Sequence, residues 1–424
     1  MRVDTLIPPL GRRAWWLLFG YTLANLGLGL TGPFLLIYLH SVRGLDLGPA
    51  GLVIASAGLA GVLSVPASGW LVDRAGAGSA VVVGLLASAG GALAYLAARG
   101  PTATLLAALL AGAGAAGYWN GLTSLLAVAV PPEGRTGIFA VAFALQNLGY
   151  GVGAAAGGLI VDVQSPASFA VAFMVQAALM LSFAAVVVYR REARREPDGA
   201  GERPTGPAAP LVGYAVVLRD RALLVLAVIE VLVGAVTMAL LATAFPAWVT
   251  GPVGASSRLL GLAFTVNTFT IVVVQIVVLG LTCGRRRTGS LAASAYVFGL
   301  AVLLVLGAGM AGGPLGAVGL LAALGLYGVG ETLFQPSIMA LVNDLAPDAE
   351  RGRYNSVINL SFQAGAIAGP SVAGAVLARG WYVGLFVGLA AVCGLIALTA
   401  LWSRRVISAA ADLGRHTSRG CVER

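Results

Sequence analysis

Twelve long, predominantly apolar runs fill most of this chain, near residues 14–39, 47–72, 79–98, 102–130, 136–162, 167–189, 221–246, 257–283, 289–310, 314–342, 352–378 and 381–402. About 20 such residues are what a helix needs to cross the hydrocarbon core of a bilayer. No water is present there to satisfy backbone polar groups, so only helices and closed barrels can span it. Barrel strands alternate apolar with polar residues, whereas these runs are apolar throughout. The expected fold class is therefore an all-α integral membrane protein with twelve transmembrane helices. Composition points the same way. Of 424 residues, 58% are hydrophobic and only 10% charged, with a mean hydropathy of +0.91, too little polar surface for a soluble protein.

The few charges are unevenly placed. Lysine is absent, so all 26 basic residues are arginine. If both termini are cytoplasmic, 22 arginines fall on that side and four (Arg43, Arg99, Arg258 and Arg379) on the other. The positive-inside rule then predicts cytoplasmic N- and C-termini. A net charge of +9 is accounted for by juxtamembrane arginines facing anionic lipid, so no nucleic-acid partner is expected. Arginine in place of lysine, with abundant Ala, Gly and Val, suggests GC-rich bacterial coding, so the expected location is a bacterial cytoplasmic membrane. The first apolar run is too long for a cleavable signal peptide. Cys283, Cys393 and Cys421 are too scattered to predict a disulfide or a metal site, and neither His40 nor His416 is placed as a ligand.

Residues 190–213, RREARREPDGAGERPTGPAAPLVG, form the one long polar interior stretch and read as a cytoplasmic linker. They divide the chain into an N-terminal six-helix bundle (1–189) and a C-terminal one (214–403), followed by a cytoplasmic tail (404–424). The halves repeat. GYGVGAAAGG at 149–158 matches GAIAGPSVAG at 365–374, with Arg135 and Arg351 aligned ahead of them. GWLVDRAGAG at 69–78 is followed, in the equivalent loop of the second half, by GLTCGRRRTG at 280–289. Two parallel six-helix repeats with a midplane site between them is a known transporter plan.

The pattern Gly69-x-x-x-Asp73-Arg74-x-Gly76 resembles the loop 2–3 signature of the major facilitator superfamily. The helix 5 glycines resemble the motif of that family's twelve-helix drug:proton antiporters, the multidrug efflux group. The resemblance extends over nearly the whole chain and implies the major facilitator fold, with two pseudo-symmetric bundles. There are departures. Gly78 and Ser79 stand where a basic residue is usual, Ala154 replaces the helix 5 proline although Pro370 fills the repeat position, and Ala108 stands where such antiporters often carry a helix 4 arginine.

In the family, the acid at Asp73 meets the N-terminal end of helix 11. A carboxylate beside a helix N-terminus gains roughly 0.3–1 kcal/mol, enough to bias a cytoplasmic latch; a plain topology-fixing loop is the alternative. The glycine rows Gly149, Gly153, Gly157 and Gly158, and Gly365, Gly369, Pro370 and Gly374, let helix backbones approach closely. They are expected to serve the seam between the halves, where helix 5 meets helix 8 and helix 2 meets helix 11.

Two carboxylates, Glu230 in helix 7 and Glu331 in helix 10, lie well inside apparent spans, and no arginine lies near them within the spans. Counting from the helix ends at 1.5 Å per residue puts both roughly 14–17 Å from the cytoplasmic face. Intramembrane acids are functional by default. An unpaired buried carboxyl escapes the cost of its charge by taking up a proton, and it releases that proton when water or a cationic ligand arrives. Glu331 and Glu230 are thus the proton-coupling candidates, against the alternative of hydrogen-bonded packing residues. Polar neutral side chains recur in the spans at Asn25, Asn120, Gln146, Asn147, Asn267, Gln275, Gln335, Asn359 and Gln363. The family plan directs helices 1, 4, 7 and 10 to the centre. Those helices carry Tyr21, Asn25, Tyr118, Trp119, Asn120, Tyr327, Phe334 and Gln335, and with Gln146 of helix 5 and Asn359 of helix 11 they make up the expected substrate cavity, whose aromatic members suit an apolar cation.

No Ser/His/Asp set, metal pattern or phosphate loop is present, so an enzyme is not expected, and no cofactor beyond a proton gradient. The expected function is a monomeric secondary transporter, set in the lipid bilayer, that exports small amphipathic or lipophilic compounds, cations among them, in exchange for protons. A proton-coupled importer of a small neutral solute is the alternative, and a membrane receptor or enzyme a remote one.

Overall fold

The computed structural model describes residues 10–131, 134–192, 217–282, 285–347 and 350–413. Most of the 190–213 linker, Cys283, His416 and Cys421 lie outside them. Twelve helices are long and apolar enough to cross a membrane, and the described residues contain no strand. They are α1 (Arg12–Val42), α2 (Leu47–Ala75), α3 (Ala77–Ala97), α4 (Gly100–Val128), α5 (Arg135–Ile160), α6 (Pro166–Glu192), α7 (Arg221–Thr250), α8 (Ser257–Thr282), α9 (Arg287–Ala311), α10 (Gly313–Leu345), α11 (Arg351–Leu377) and α12 (Tyr382–Trp402). Short connections such as Gly76, where φ is +84° and a side chain would be strained, turn one span directly into the next.

The repeat seen in sequence reappears as a repeat of contacts. In the first half α1 packs on α5 and α6, α4 on α2 and α3, and α3 on α6; in the second half α7 packs on α11 and α12, α10 on α8 and α9, and α9 on α12. Two long contacts join the halves, α2 on α11 and α5 on α8, and these too are related by the repeat. Both involve the ends of the helices remote from the chain termini. Gly51 abuts Pro370 and Gly374, Gly58 faces Ile367, and Gly158 abuts Ser257 and Gly261. At the same end the last turns of α1 (Gly32–Ile37) meet those of α7 (Ala239–Thr250). Toward the termini, side chains on the seam faces of the same helices are exposed, including Val65 on α2, Phe143 on α5, Phe269 and Val273 on α8, and Leu360 on α11. The halves are therefore closed together at the far end and splayed at the end that carries the termini.

The glycine rows fall differently from expectation. A Cβ on Gly149, Gly153 or Gly157 would meet the α1 backbone at Thr22, Leu26 or Leu30, and one on Gly365 or Gly369 would meet the α7 backbone at Val231 or Ala235. Only Gly158, Pro370 and Gly374 turn to the seam, the first onto α8 and the others onto α2. The rows thus chiefly bring helices together within each half. The reason is period: residues four apart share one helix face, and Gly158 and Gly374, one and five positions beyond the last such glycine, fall on the next face.

The first residues after α12 do not trail away. Ile407 and Ala411 are buried in the second half's core, and a short helix α13 (Ala409–Leu413) places Asp412 at the start of α9. Asp412 accepts from the Thr288 backbone N–H at 2.9 Å and from its hydroxyl at 3.1 Å, while Arg404 Nε donates to that hydroxyl at 3.1 Å. Arg287 donates to the Ala411 carbonyl at 3.1 Å and pairs with Asp344 of α10 at 2.6 Å. The tail therefore staples the termini-side ends of α9, α10 and α12. Asp412→Ala is expected to destabilise the protein by about 1–3 kcal/mol, because it strands a buried N–H and hydroxyl, visible as a lower unfolding temperature in detergent. Gly369→Leu is expected to cost at least about 1–3 kcal/mol through overpacking against α7. Gly388→Leu, where a Cβ meets nothing within 4 Å, should leave the same melting curve unchanged.

Candidate functional site

Tyr21 of α1 is the hub of the N-terminal half. Its hydroxyl donates to Gln146 Oε1 of α5 at 2.8 Å, and its ring lies 5.4 Å from that of Trp119 on α4. Trp119 is 38% exposed, so one face of this aromatic pair is open. Asn25 is buried where Gly149 lets α5 approach, and its amide donates to the Tyr21 carbonyl at 2.8 Å. Tyr118 is buried and packs toward α3, where Gly84 makes room for its backbone. Asn120 donates to Ser68 Oγ of α2 at 2.6 Å and ties α4 to the seam helix. The structure thus joins Tyr21, Asn25, Trp119 and Gln146, and turns Tyr118 and Asn120 to helix contacts.

In the C-terminal half Glu331 is partly exposed, and its Oε2 accepts from Asn267 Nδ2 of α8 at 3.1 Å. One turn before it, the Tyr327 hydroxyl lies 2.8 Å from that of Thr237 on α7. Gln335, one turn after it on the same face, is exposed. Two residues expected in the cavity are not there. Tyr327 and Phe334 are fully buried, with ring centroids 4.5 Å and 6.4 Å from Phe298 of α9. Gly330 between them has no side chain, which lets Phe298 lie against α10 and draws that face into the core. Asn359 is exposed on α11 and donates to the Asn355 carbonyl of its own helix at 3.1 Å.

Glu230 is 3% exposed, and its Oε2 has no hydrogen-bond partner among the described residues. The repeat supplies a physical reason. Gly149 rests on Thr22 as Gly365 rests on Val231, which makes Glu230 the counterpart of Tyr21 and Phe362 the counterpart of Gln146. Where the first half has a tyrosine bonded to an amide, the equivalent positions of the second hold a carboxyl and a phenylalanine, which has no group to bond it. Neither Glu230 nor Glu331 forms an ion pair among the described residues.

Asp73 and Arg74 are both exposed at the end of α2, just before Gly76; Gly69, one turn earlier, has open space around it. The Arg74 guanidinium lies over the Trp70 ring at 5.3 Å. The expected contact of Asp73 with the start of α11 is not made in this arrangement, because α2 and α11 diverge toward that end. Asn267, the partner of Glu331, is one of several polar residues in the spans, and nothing in the sequence singled it out. A lone amide on a helix expected at the seam gives no signal until α8 is seen to pack on α10 as well.

The sequence profile of the Major Facilitator Superfamily matches residues 17–249 and 231–418. The uncharacterized MFS-type transporter YttB of Bacillus subtilis (strain 168) is 26% identical over 399 residues, spanning 93% of this chain and 96% of that one. Among solved structures, a POT family transporter in complex with a thioalcohol conjugated peptide superposes with a TM-score of 0.76 at 16% identity, over 95% of this chain and 99% of its own. The nucleoside transporter NupG gives 0.74 at 15% identity, over 93% and 99%. At these identities the solved structures speak for the fold alone. Profile, relative, repeat and twelve helices agree: the chain belongs to the Major Facilitator Superfamily and is a multi-pass membrane transporter, not an enzyme.

Proposed function

We propose that this transporter exports small amphipathic or lipophilic compounds, cations among them, in exchange for protons. Its two halves, 1–189 and 214–403, rock about the α2–α11 and α5–α8 seams. Both termini, the 190–213 linker and the 404–424 tail lie in the cytoplasm of a bacterial cell, as the arginine asymmetry favours. The observation that carries the reading is Glu331, a partly exposed carboxyl inside a span, held by a neutral amide and by no cation among the described residues. An acid in this setting exchanges a proton for a positively charged ligand group without a competing fixed charge. The open face of Trp119 beside Tyr21 offers the opposite wall an aromatic surface. Spans without interior arginine disfavour phosphate or dicarboxylate cargo. Exposed Asp73 suits a latch that is released in this termini-side-open arrangement and engages when that side closes.

In everted membrane vesicles with an imposed proton gradient, adding a lipophilic cation is expected to release protons, read by a fluorescent pH probe. Glu331→Gln is expected to abolish that release. Persistence of release in this variant would remove Glu331 from coupling and leave Glu230 as the next acid to test. A sugar, peptide or nucleoside driving proton movement in the opposite sense, with no drug response, would replace export by import. Trp119→Ala is expected to raise the half-saturating concentration of an aromatic cation roughly 2- to 30-fold, the range of a cation–π contact of about 0.5–2 kcal/mol. A neutral aliphatic cargo should be affected far less.

A further inference from the structure

Helix α8 is held on both sides at one turn. On one face the Thr265 hydroxyl shares its proton between the Gly151 carbonyl of α5 at 3.0 Å and the Gly261 carbonyl of its own helix at 2.9 Å, and the Thr268 hydroxyl fills the space a Gly151 side chain would take. On the opposite face Asn267 donates through Nδ2 to the Leu324 carbonyl and to Glu331 Oε2 of α10, both at 3.1 Å. The Leu324 carbonyl can only accept, so it fixes which end of the amide faces α10. Asn267 therefore presents a donor to Glu331. Protonation of Glu331 removes the charge that strengthens this bond and leaves a single carbonyl oxygen to accept it, so the contact weakens from a charge-assisted to a neutral one. The atoms that grip α5 and the atom that grips the acid belong to one rigid turn of about 5.4 Å pitch.

We propose that Asn267 is the positioning residue that transmits the proton occupancy of Glu331 to the α5–α8 seam, and so to closure of the termini side. The inference rests on Glu331 being the proton site. Few other titratable groups share its surroundings. Tyr327 lies one turn away on α10, and Glu230 on α7. On α8 the only one is Arg258, at the far end; α9 has Arg287 at its start and an exposed Tyr296. On α12, Cys393 lies near Tyr327. Glu331 itself is thus the titrating group that Asn267 touches.

The test is a distance measurement between spin labels at Phe143→Cys on α5 and Val277→Cys on α8, both exposed positions, in full-length protein in nanodiscs with Cys283, Cys393 and Cys421 replaced by serine. In this otherwise native background the ratio of open to closed populations should change about fivefold or more between about pH 5.5 and about pH 8, the size of an ordinary coupling between sites. Glu331→Gln should abolish the change. Asn267→Ala should reduce it to less than about twofold, although the acid is still present. Thr265→Val, which removes the grip on α5 and leaves Asn267 intact, should do the same, and it serves if Asn267→Ala fails to fold. A full pH response in either variant overturns the inference alone. No pH response in the native background overturns the proton-site reading, and this inference with it.

Discussion

Backbone-to-backbone contact at glycine sets the dimensions of this molecule. In a bilayer there is no hydrophobic gain from pressing apolar helices together, since lipid tails are as apolar as leucine, so association depends on close packing and polar contacts. The rows on α5 and α11 provide that packing against α1 and α7, and single glycines beside them provide it against α8 and α2. Each half is thereby a tightly packed body. The main contacts between the halves, by contrast, are two helix pairs and the far ends of α1 and α7. A body packed within and joined along a narrow strip can pivot without being unpacked, which is the mechanical requirement of alternating access.

The halves share a framework and differ in chemistry. Equivalent positions hold Tyr21 with Gln146 in one and Glu230 with Phe362 in the other. The first half's polar groups are neutral and mutually bonded, whereas the second half contains both intramembrane acids. One of them is bonded by an amide from a seam helix, and the other has an unpartnered buried oxygen. The loops after α2 and α8 diverge as well. Asp73 and Arg74 stand exposed, while Arg287 and Thr288 are engaged by the chain's own tail. Arg287 is thus engaged within its own half, whereas Arg285 and Arg286 just before it stand exposed.

Much of the fold was legible because the bilayer enforces it. Helix number, the two halves and their repeat follow from run length, from the polar stretch at 190–213 and from the glycine spacing. The pairing of the glycine faces was not legible, because a row of small residues says that a backbone approaches and not which one. Tyr327 and Phe334 show the same limit: both lie on α10, yet Phe298 of α9 claims their faces.

The sequence by itself determined that the chain crosses a membrane twelve times, that its halves repeat, and that two carboxyls sit where charge is costly. These follow from local composition, since a bilayer leaves each apolar segment one way to satisfy its backbone. Only the tertiary structure decided what each acid faces. Asn267 reaches Glu331 from a helix 64 positions away in sequence, and no hydrogen-bond partner among the described residues reaches the buried Oε2 of Glu230. Such contacts depend on how helices are rotated about their own axes, and rotation is set by packing against neighbours that no single segment encodes.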